Sequence, residues 1–270
     1  MVLIAVRAPA QSSGLSLIAV AKRGDDKAAK ELISDGADIN TKDKRGMTAL
    51  MWSARGGDLK MVKLLVEKKG DVNLQDQDGW TCLTWAAIAG HNETVVYLLS
   101  RGARVDVKDV GGHTPLMYAS EAGRTETVKT LIAKGANIHE TNKAGCNCLM
   151  YAAYQGRTET VVVLLDHGLD PNKIKNAEGC TPLMWAAISG QTATVEMLID
   201  RGAKINLKDN EGMTCLMYAA AQGHKDTVNA LLSKGVDVNA KSKHGETAIQ
   251  SAKDAGHGEI VALLEKAGAK

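Results

Sequence analysis

The sequence predicts an all-α solenoid of stacked helix–loop–helix repeats whose loops are of the β-hairpin type. The first observation is a phrase, Thr-Pro-Leu-Met-aromatic-Ala, that begins at Thr114 and Thr181 and recurs with one change at Thr214. The second is a glycine that closes each copy at a nearly constant interval of 33 residues. Self-similarity at this period is typical of solenoids, in which each repeat buries its apolar face against its neighbours.

The glycine interval defines one repeat domain over residues 13–270, preceded by an N-terminal extension of residues 1–12. One interval has 34 residues, and the extra residue lies in the loop between Asn172 and Gly179. Eight repeats are predicted, at about residues 13–42, 43–75, 76–108, 109–141, 142–175, 176–208, 209–241 and 242–270.

The first helix of each repeat is predicted from its N-terminal cap. A capping side chain accepts a hydrogen bond from the first turn, and proline is tolerated at the next position, as at Pro115 and Pro182. Leu83, Ala86 and Ala87 then form a narrow stripe at helical spacing, which favours close packing. The predicted caps are Thr48, Thr81, Thr114, Thr181, Thr214 and Thr247, with Asn147 in the fifth repeat.

The second helix of each repeat is richer in branched residues, such as Val95 and Val96. A glycine in the left-handed conformation is expected to end it. Lys69 occupies that place in the second repeat, where a side chain costs about 1 kcal/mol. The glycines are Gly102, Gly135, Gly168, Gly202 and Gly235.

Residues 76–91 read Asp-Gln-Asp-Gly-Trp-Thr-Cys-Leu-Thr-Trp-Ala-Ala-Ile-Ala-Gly-His. This resembles the ankyrin repeat, whose pattern is Asp-x-x-Gly-x-Thr-Pro-Leu-His-Leu-Ala-Ala-x-x-Gly-His. The resemblance extends over all eight repeats and implies an ankyrin solenoid with a concave groove that binds another protein. It also implies that His91, His224 and His257 make structural hydrogen bonds.

Aromatic residues occupy one equivalent position in six successive repeats, although the chain contains no Phe. That position lies away from the core stripe of the first helix, and the resemblance implies that it faces the groove. Two interpretations stay open: the rings line a binding surface, or they fill space between repeats. The six residues, called here the ladder, are Trp52, Trp85, Tyr118, Tyr151, Trp185 and Tyr218.

Residues beside the ladder complete the predicted partner-binding surface. Trp80 is the strongest individual candidate, since an exposed loop tryptophan is typical of interface hot spots. The methionines Met117, Met150, Met184 and Met217 indicate either an adaptable surface or packing between repeats. The other candidates are Arg55, Ile88, Glu121, Tyr154 and Ile188, one turn after the ladder, and Met47, His113 and Met213, in the hairpin loops with Trp80.

Composition narrows the class of partner and the compartment. Charges of both signs are interspersed and the net charge is +2, so no basic stripe for nucleic acid is expected. The apolar run Val2–Val6 is too short to cross a membrane. Five cysteines without a Cys-x-x-Cys pair favour the cytoplasm, whereas Ala8-Pro9-Ala10 resembles the cleavage site of a secretory signal and keeps export as the alternative.

No motif for catalysis or for a cofactor occurs. Cys146 and Cys148, with His139 and His167, have a spacing that fits no closed zinc site. The sequence therefore predicts a non-catalytic interaction module or scaffold without cofactor or metal, a monomer or part of a heterocomplex. The alternative is an inhibitor or immunity protein that caps the active site of a partner enzyme, such as a bacterial cell-wall peptidase.

Overall fold

The computed structural model describes residues 10–270, with side chains from residue 13, and this part of the chain contains sixteen helices and no strand. The apolar run Val2–Val6 and most of the possible cleavage site lie outside the described residues. The chain forms two compact units. Unit 1 comprises residues up to Ala119 together with Glu126–Ala136, and unit 2 comprises Ser120–Thr125 and Asn137–Lys270.

In unit 1 the first helices of successive repeats pack side by side, α1 on α3 and α3 on α5, and the second helices form a parallel row, α2 on α4 and α4 on α6. Helices α7 and α8 also belong to this unit, except for their residues 120, 121 and 125, which belong to unit 2. The bounds are α1 Ala10–Arg23, α2 Asp26–Ser34, α3 Ala49–Gly56, α4 Leu59–Glu67, α5 Cys82–Ala89, α6 Asn92–Ser100, α7 Pro115–Glu121 and α8 Thr125–Ala133.

Unit 2 repeats the same two rows, with α9, α11, α13 and α15 in one and α10, α12, α14 and α16 in the other. The bounds are α9 Cys148–Tyr154, α10 Thr158–Asp166, α11 Pro182–Ile188, α12 Thr192–Asp200, α13 Cys215–Ala221, α14 Lys225–Ser233, α15 Ala248–Asp254 and α16 Gly258–Lys266.

The described helices form eight pairs, one for each predicted repeat. Residues 167–181 separate α10 from α11, one residue more than the segment 134–147 between α8 and α9, so the extra residue lengthens a loop. Helix α1 begins at Ala10, three residues before the predicted start of the first repeat.

The core of each repeat is built from small and flexible side chains on the first helix. Ala86, Ala87 and Leu83 are fully buried, which allows neighbouring first helices to approach closely. The four methionines next to the ladder are buried as well, which favours their interpretation as packing residues over an adaptable surface. These are Met117, Met150, Met184 and Met217.

The predicted caps of the first helices are present with one exception. The Thr48 hydroxyl accepts a hydrogen bond from the Met51 amide at 3.3 Å, and Asn147 accepts from Met150 at 3.1 Å. Thr247 has the extended backbone of a cap, but its side chain accepts no such bond, so the prediction for this residue is wrong.

Each hairpin loop is closed by backbone hydrogen bonds and is joined to the next loop in its unit. Asp43 donates its amide to the Met47 carbonyl at 2.9 Å, and the Gly46 amide donates to Asp43. The Gln77 amide then donates to the Arg45 carbonyl, one repeat earlier, at 3.2 Å. The loops thus form their own hydrogen-bonded row beside the helices.

The cysteines are free and buried, and the histidines of the repeat are structural as predicted. Burial raises the pKa of Cys82, Cys148 and Cys215 to about 12, because the thiolate form would lose its hydration. The His91 Nε2 lies 3.1 Å from the Arg55 carbonyl oxygen, and His224 Nε2 lies 2.9 Å from that of Ile188. Each histidine thereby ties its repeat to the preceding one.

Lys69 is the exception among the residues that end the second helices. It has φ of 69°, and no other non-glycine residue in the described part of the chain has a positive φ. A Cβ atom in this conformation approaches the following carbonyl oxygen, a contact that glycine avoids.

We predict that Lys69→Gly raises the free energy of unfolding by about 1 kcal/mol, because it removes this contact. Lys68→Gly is the matched control: Lys68 has φ of −91°, so glycine there only adds freedom to the unfolded chain and lowers stability. Urea titrations of the three proteins measure the differences, and equal effects of the two substitutions would contradict the strain at Lys69.

Candidate partner-binding face

The ladder rings of unit 1 are fixed by a residue nine positions earlier in the chain. The Trp52 indole N–H donates to Asp43 Oδ2 at 2.9 Å, and Trp85 donates to Asp76 Oδ2 at 3.0 Å. Each aspartate lies at the start of the hairpin loop of the same repeat. The hydrogen bond therefore ties a ring on the first helix to the loop that precedes it.

In unit 2 the ladder ring again lies against the residue nine positions earlier, but the hydrogen-bond donor and acceptor differ from repeat to repeat. The Tyr218 hydroxyl donates to Asp209 Oδ2 at 2.5 Å, whereas Tyr151 accepts from the Asn142 amide nitrogen at 2.7 Å. Trp185 departs from the pattern, since Asn176 stands nine residues before it. The Asn176 Oδ1 accepts from loop amides, which leaves its amide N–H toward the ring; an indole N–H cannot pair with an amide N–H, and the Trp185 indole donates no hydrogen bond within the described residues.

The Asp or Asn nine positions before each ladder ring also organises the hairpin loop, through its Oδ1 atom. Asp43 Oδ1 accepts from the amides of Arg45 and Met47 at 2.9 and 3.0 Å, and the other loops repeat this arrangement. One side chain thus connects the loop backbone to the ladder ring. Sequence reasoning missed this role, although an Asp or Asn nine residues before every ladder ring was the signal for it.

Asp109 carries the largest set of these contacts. Its Oδ1 accepts from the Gly111 and His113 amides, and its Oδ2 accepts from Tyr118 at 2.5 Å and from the Trp80 indole N–H at 3.2 Å. The Trp80 ring centroid lies 4.6 Å from those of both Trp85 and Tyr118. Trp80 is half-buried with its N–H paired, which corrects the prediction of an exposed loop tryptophan.

These contacts change the acidity of two loop carboxylates. Burial on its own would raise the pKa of Asp109, but hydrogen bonds from Tyr118 and the His113 amide outweigh it and lower the pKa. The pKa of Asp43 is lowered in the same way, against its burial, by Trp52 and two loop amides and by the positive charge of Lys22. Both carboxylates are therefore held in the charged form.

The rings of unit 1 are covered in part by the protein's own cations. Lys22 Nζ lies 3.8 Å from the centroid of the Trp52 ring and 3.8 Å from Asp43 Oδ2. The Arg55 guanidinium lies 4.8 Å from the Trp85 centroid and 5.3 Å from that of Trp52. Cations over an indole face are attracted by the negative electrostatic potential of the ring quadrupole.

Unit 2 carries a different surface, a pocket of about 430 Å³ in which four rings meet two carboxylates. Trp185 and Tyr154 have ring centroids 5.6 Å apart with their planes at 69°. The pocket is lined by Glu121, Tyr151, Tyr154, Glu178, Cys180, Trp185, Ile188 and Tyr218.

The match to a known family accords with this architecture. A family model described as ankyrin repeats, in three copies, matches residues 17–109, 69–142, 116–209 and 205–270. The chain belongs to the ankyrin-repeat family. Ankyrin repeats are generally protein–protein interaction modules, and the predicted all-α ankyrin solenoid is confirmed. No curated protein matches the chain.

Two further properties of this ankyrin chain concern membranes and metals. Across residues 10–270, none of the helices has both the length and the apolar character needed to cross a bilayer. The same range holds no group of three His, Cys, Asp or Glu side chains suited to a metal ion. Cys148 Sγ instead donates to the Ile138 carbonyl oxygen at 3.5 Å.

The predicted site residues of the ankyrin repeats differ widely in exposure. Arg55 and Tyr154 are exposed, whereas Trp85 is 7% exposed. Met47 is completely buried, which corrects its assignment to the surface, and its backbone amide donates to Asp43 Oδ1 within the same loop at 3.0 Å. The half-buried candidates are Trp52, Trp80, Ile88, His113, Tyr118, Glu121, Tyr151, Trp185, Ile188, Met213 and Tyr218.

We define the ladder face as the predicted site residues that retain exposed surface. In unit 1 its members are Trp52, Arg55, Trp80, Trp85, Ile88, His113 and Tyr118, and in unit 2 they are Glu121, Tyr151, Tyr154, Trp185, Ile188, Met213 and Tyr218.

The Asp43–Trp52 pair leads to a prediction about stability. Asp43→Asn places an amide N–H against the indole N–H, so we expect the free energy of unfolding to fall by about 1–3 kcal/mol at neutral pH. Asp209→Asn is the matched control and should cost less, because Tyr218 can accept a hydrogen bond as Tyr151 does from Asn142. Urea titrations measure both losses; equal losses would sink this explanation.

The pH dependence of the same variant has a defined sign. Folding lowers the pKa of Asp43, so its carboxylate stabilises the fold above the unfolded-state pKa and loses this effect as the pH falls through the folded-state value. The stability difference between wild type and Asp43→Asn should therefore be full at pH 7 and shrink below about pH 4. Thermal unfolding at a series of pH values tests this, and a difference that grows in acid would contradict it.

Proposed function

We propose that this ankyrin-repeat protein binds a partner protein through the ladder face and catalyses no reaction. One observation carries the proposal: aromatic rings recur at one position in six successive repeats, five of them are hydrogen-bonded to a loop side chain, and the residue one turn later varies among the repeats. Those residues are Arg55, Ile88, Glu121, Tyr154 and Ile188, with Ala221 in the last repeat of the ladder. A constant aromatic frame with variable neighbours is suited to recognising one particular partner.

The hydrogen bonds to the rings favour binding because they reduce its entropic cost. A ring such as Trp52, whose indole N–H is fixed on Asp43, loses little further freedom when a partner covers it. Tryptophan and tyrosine also bury a large apolar area through few rotatable bonds. The ladder face is therefore organised before a partner arrives.

The chemistry of the reactive side chains supports a role without catalysis. Burial raises the pKa of every cysteine thiol, so thiolate nucleophiles are disfavoured at neutral pH. His91, His224 and His257 are engaged with backbone carbonyls of the preceding repeat. The carboxylates of the loops are occupied by backbone amides. We therefore assign these groups to the fold.

The proposal includes a cytoplasmic location and a protein that is a monomer or part of a heterocomplex. Five buried, free thiols agree with a reducing compartment, in which disulfides do not persist. The enzyme-inhibitor alternative uses the same ladder face, and export would accompany it. The identity of the partner decides between a scaffold and an inhibitor.

Two exposed residues of the ladder face and one half-buried residue, Ile188, provide the test, because truncating the more buried rings would disturb the fold. We predict that the triple variant Arg55→Ala, Tyr154→Ala, Ile188→Ala keeps its helical content but loses at least tenfold in affinity for the partner captured by wild type from a lysate of the source cells. Calorimetry with the purified partner measures the affinity.

The control variant is Val96→Ala, Val110→Ala. Val96 is 40% exposed, as is Tyr154, but lies on the second helix α6, and Val110 lies at a loop tip. If the triple variant keeps its affinity and the control variant loses affinity, the binding site lies on the second helices or at the loop tips. If the partner is an enzyme, its activity with and without the protein distinguishes an inhibitor from a scaffold.

A further inference from the structure

The walls of the unit 2 pocket are aromatic rings that stand at steep angles to one another. The centroids of Tyr151 and Trp185 are 5.8 Å apart with an angle of 83° between the planes, and Tyr154 meets Trp185 at 69°. Tyr218 contributes a fourth ring. Rings at such angles form the sides of a box instead of stacking on each other.

The charge of this pocket is negative. Glu121 and Glu178 line it, and in the described part of the chain no lysine or arginine side chain does. Burial raises the pKa of Tyr218 and raises that of Cys180 to about 11, so both groups stay uncharged at neutral pH. Glu121 accepts a hydrogen bond from the Gln155 amide at 3.3 Å, which leaves capacity for further donors on its carboxylate.

Unit 1 shows what the ladder rings attract. There the protein's own Arg55 lies 4.8 Å from the centroid of Trp85, and Lys22 lies 3.8 Å from that of Trp52. In unit 2 the positions one turn after a ladder residue are occupied by Glu121, Tyr154, Ile188 and Ala221. Cations of the protein itself thus lie over ladder rings of unit 1, whereas the unit 2 pocket is lined by two carboxylates and by no cation among the described residues.

We propose that the unit 2 pocket binds an arginine side chain of the partner protein. The planar guanidinium stacks on aromatic faces, is less strongly hydrated than an ammonium group, and donates paired hydrogen bonds to carboxylates. The four rings supply the faces, and Glu121 and Glu178 supply the carboxylates. This inference rests on the proposed function, because it names the group that the ladder face of unit 2 recognises.

The test uses a small probe and needs no partner. The probe is N-acetyl-arginine N-methylamide, titrated at constant ionic strength into the whole protein while the tryptophan indole N–H signals are followed by NMR. Trp185 is the only tryptophan of unit 2, and Trp52, Trp80 and Trp85 report on unit 1. Trp185→Phe assigns its signal.

We expect the Trp185 signal to shift and saturate in the millimolar range, which is typical of a single side chain bound without its neighbours. The signals of Trp52, Trp80 and Trp85 should shift less, since Arg55 and Lys22 already lie over two of those rings. The neutral isostere N-acetyl-citrulline N-methylamide has nearly the same shape, and we expect it to bind at least fivefold more weakly.

Two charge variants complete the test. Glu121→Gln, Glu178→Gln keeps the shape of the pocket and should weaken the arginine probe at least fivefold. Glu159→Gln on α10 removes an exposed charge of the same unit that does not line the pocket, and should leave the titration unchanged. The backbone amide spectrum verifies that each variant is folded.

The wild-type titration decides the proposal by itself. Equal binding of the citrulline probe, tighter binding of the corresponding lysine probe, or no shift of Trp185 would each overturn the assignment to arginine. Suppose that the Trp185 signal does not respond to the arginine probe but Tyr154→Ala still abolishes binding of the partner protein. This result rejects the arginine pocket and leaves the proposed function standing. If instead Trp185 responds specifically to the arginine probe but no partner protein is found whose binding depends on the ladder face, only the proposed function is rejected.

Discussion

The hydrogen bonds of the loop carboxylate are the constraint on which the rest of each repeat depends. One oxygen of Asp43 or Asp109 accepts from amides of the hairpin loop, and the other accepts from the ladder ring on the following helix. Because both oxygens are used, the position of the loop fixes the position of the ring. Hydrogen bonds to a charged acceptor are strong enough to maintain this link at a partly exposed surface.

This arrangement lets a regular solenoid carry different surfaces on its two compact units. The aromatic frame is constant, and its charge is set by residues outside the core. Lys22 and Arg55 place cations over rings of unit 1, whereas Glu121 and Glu178 place carboxylates beside the rings of unit 2. A chain with a net charge of only +2 can therefore present two electrostatically distinct faces, which its overall composition conceals.

The features that the sequence predicted are those governed by local rules: the period, the helix pairs, the caps and the glycine turns. The ladder was also visible, because a repeat makes equivalent positions easy to compare. The burial of Met47 and the partners of Trp80 were not predictable from the repeat pattern, since the Trp80 indole pairs with Asp109 and Tyr118 of the next repeat. Glu121 likewise meets Glu178 and Trp185 only in three dimensions, because it lies more than fifty residues before them in the chain.

The position one turn after the ladder can vary because its backbone carbonyl, and not its side chain, makes the contact between repeats. The carbonyl oxygens of Arg55 and Ile188 face His91 and His224 of the following repeat, and that of Glu121 accepts from the Arg157 side chain. A backbone carbonyl is the same whichever residue carries it. Side chains at this position can therefore change the recognised partner while the contact between repeats is preserved, whereas a change in a ladder ring alters loop, core and surface together.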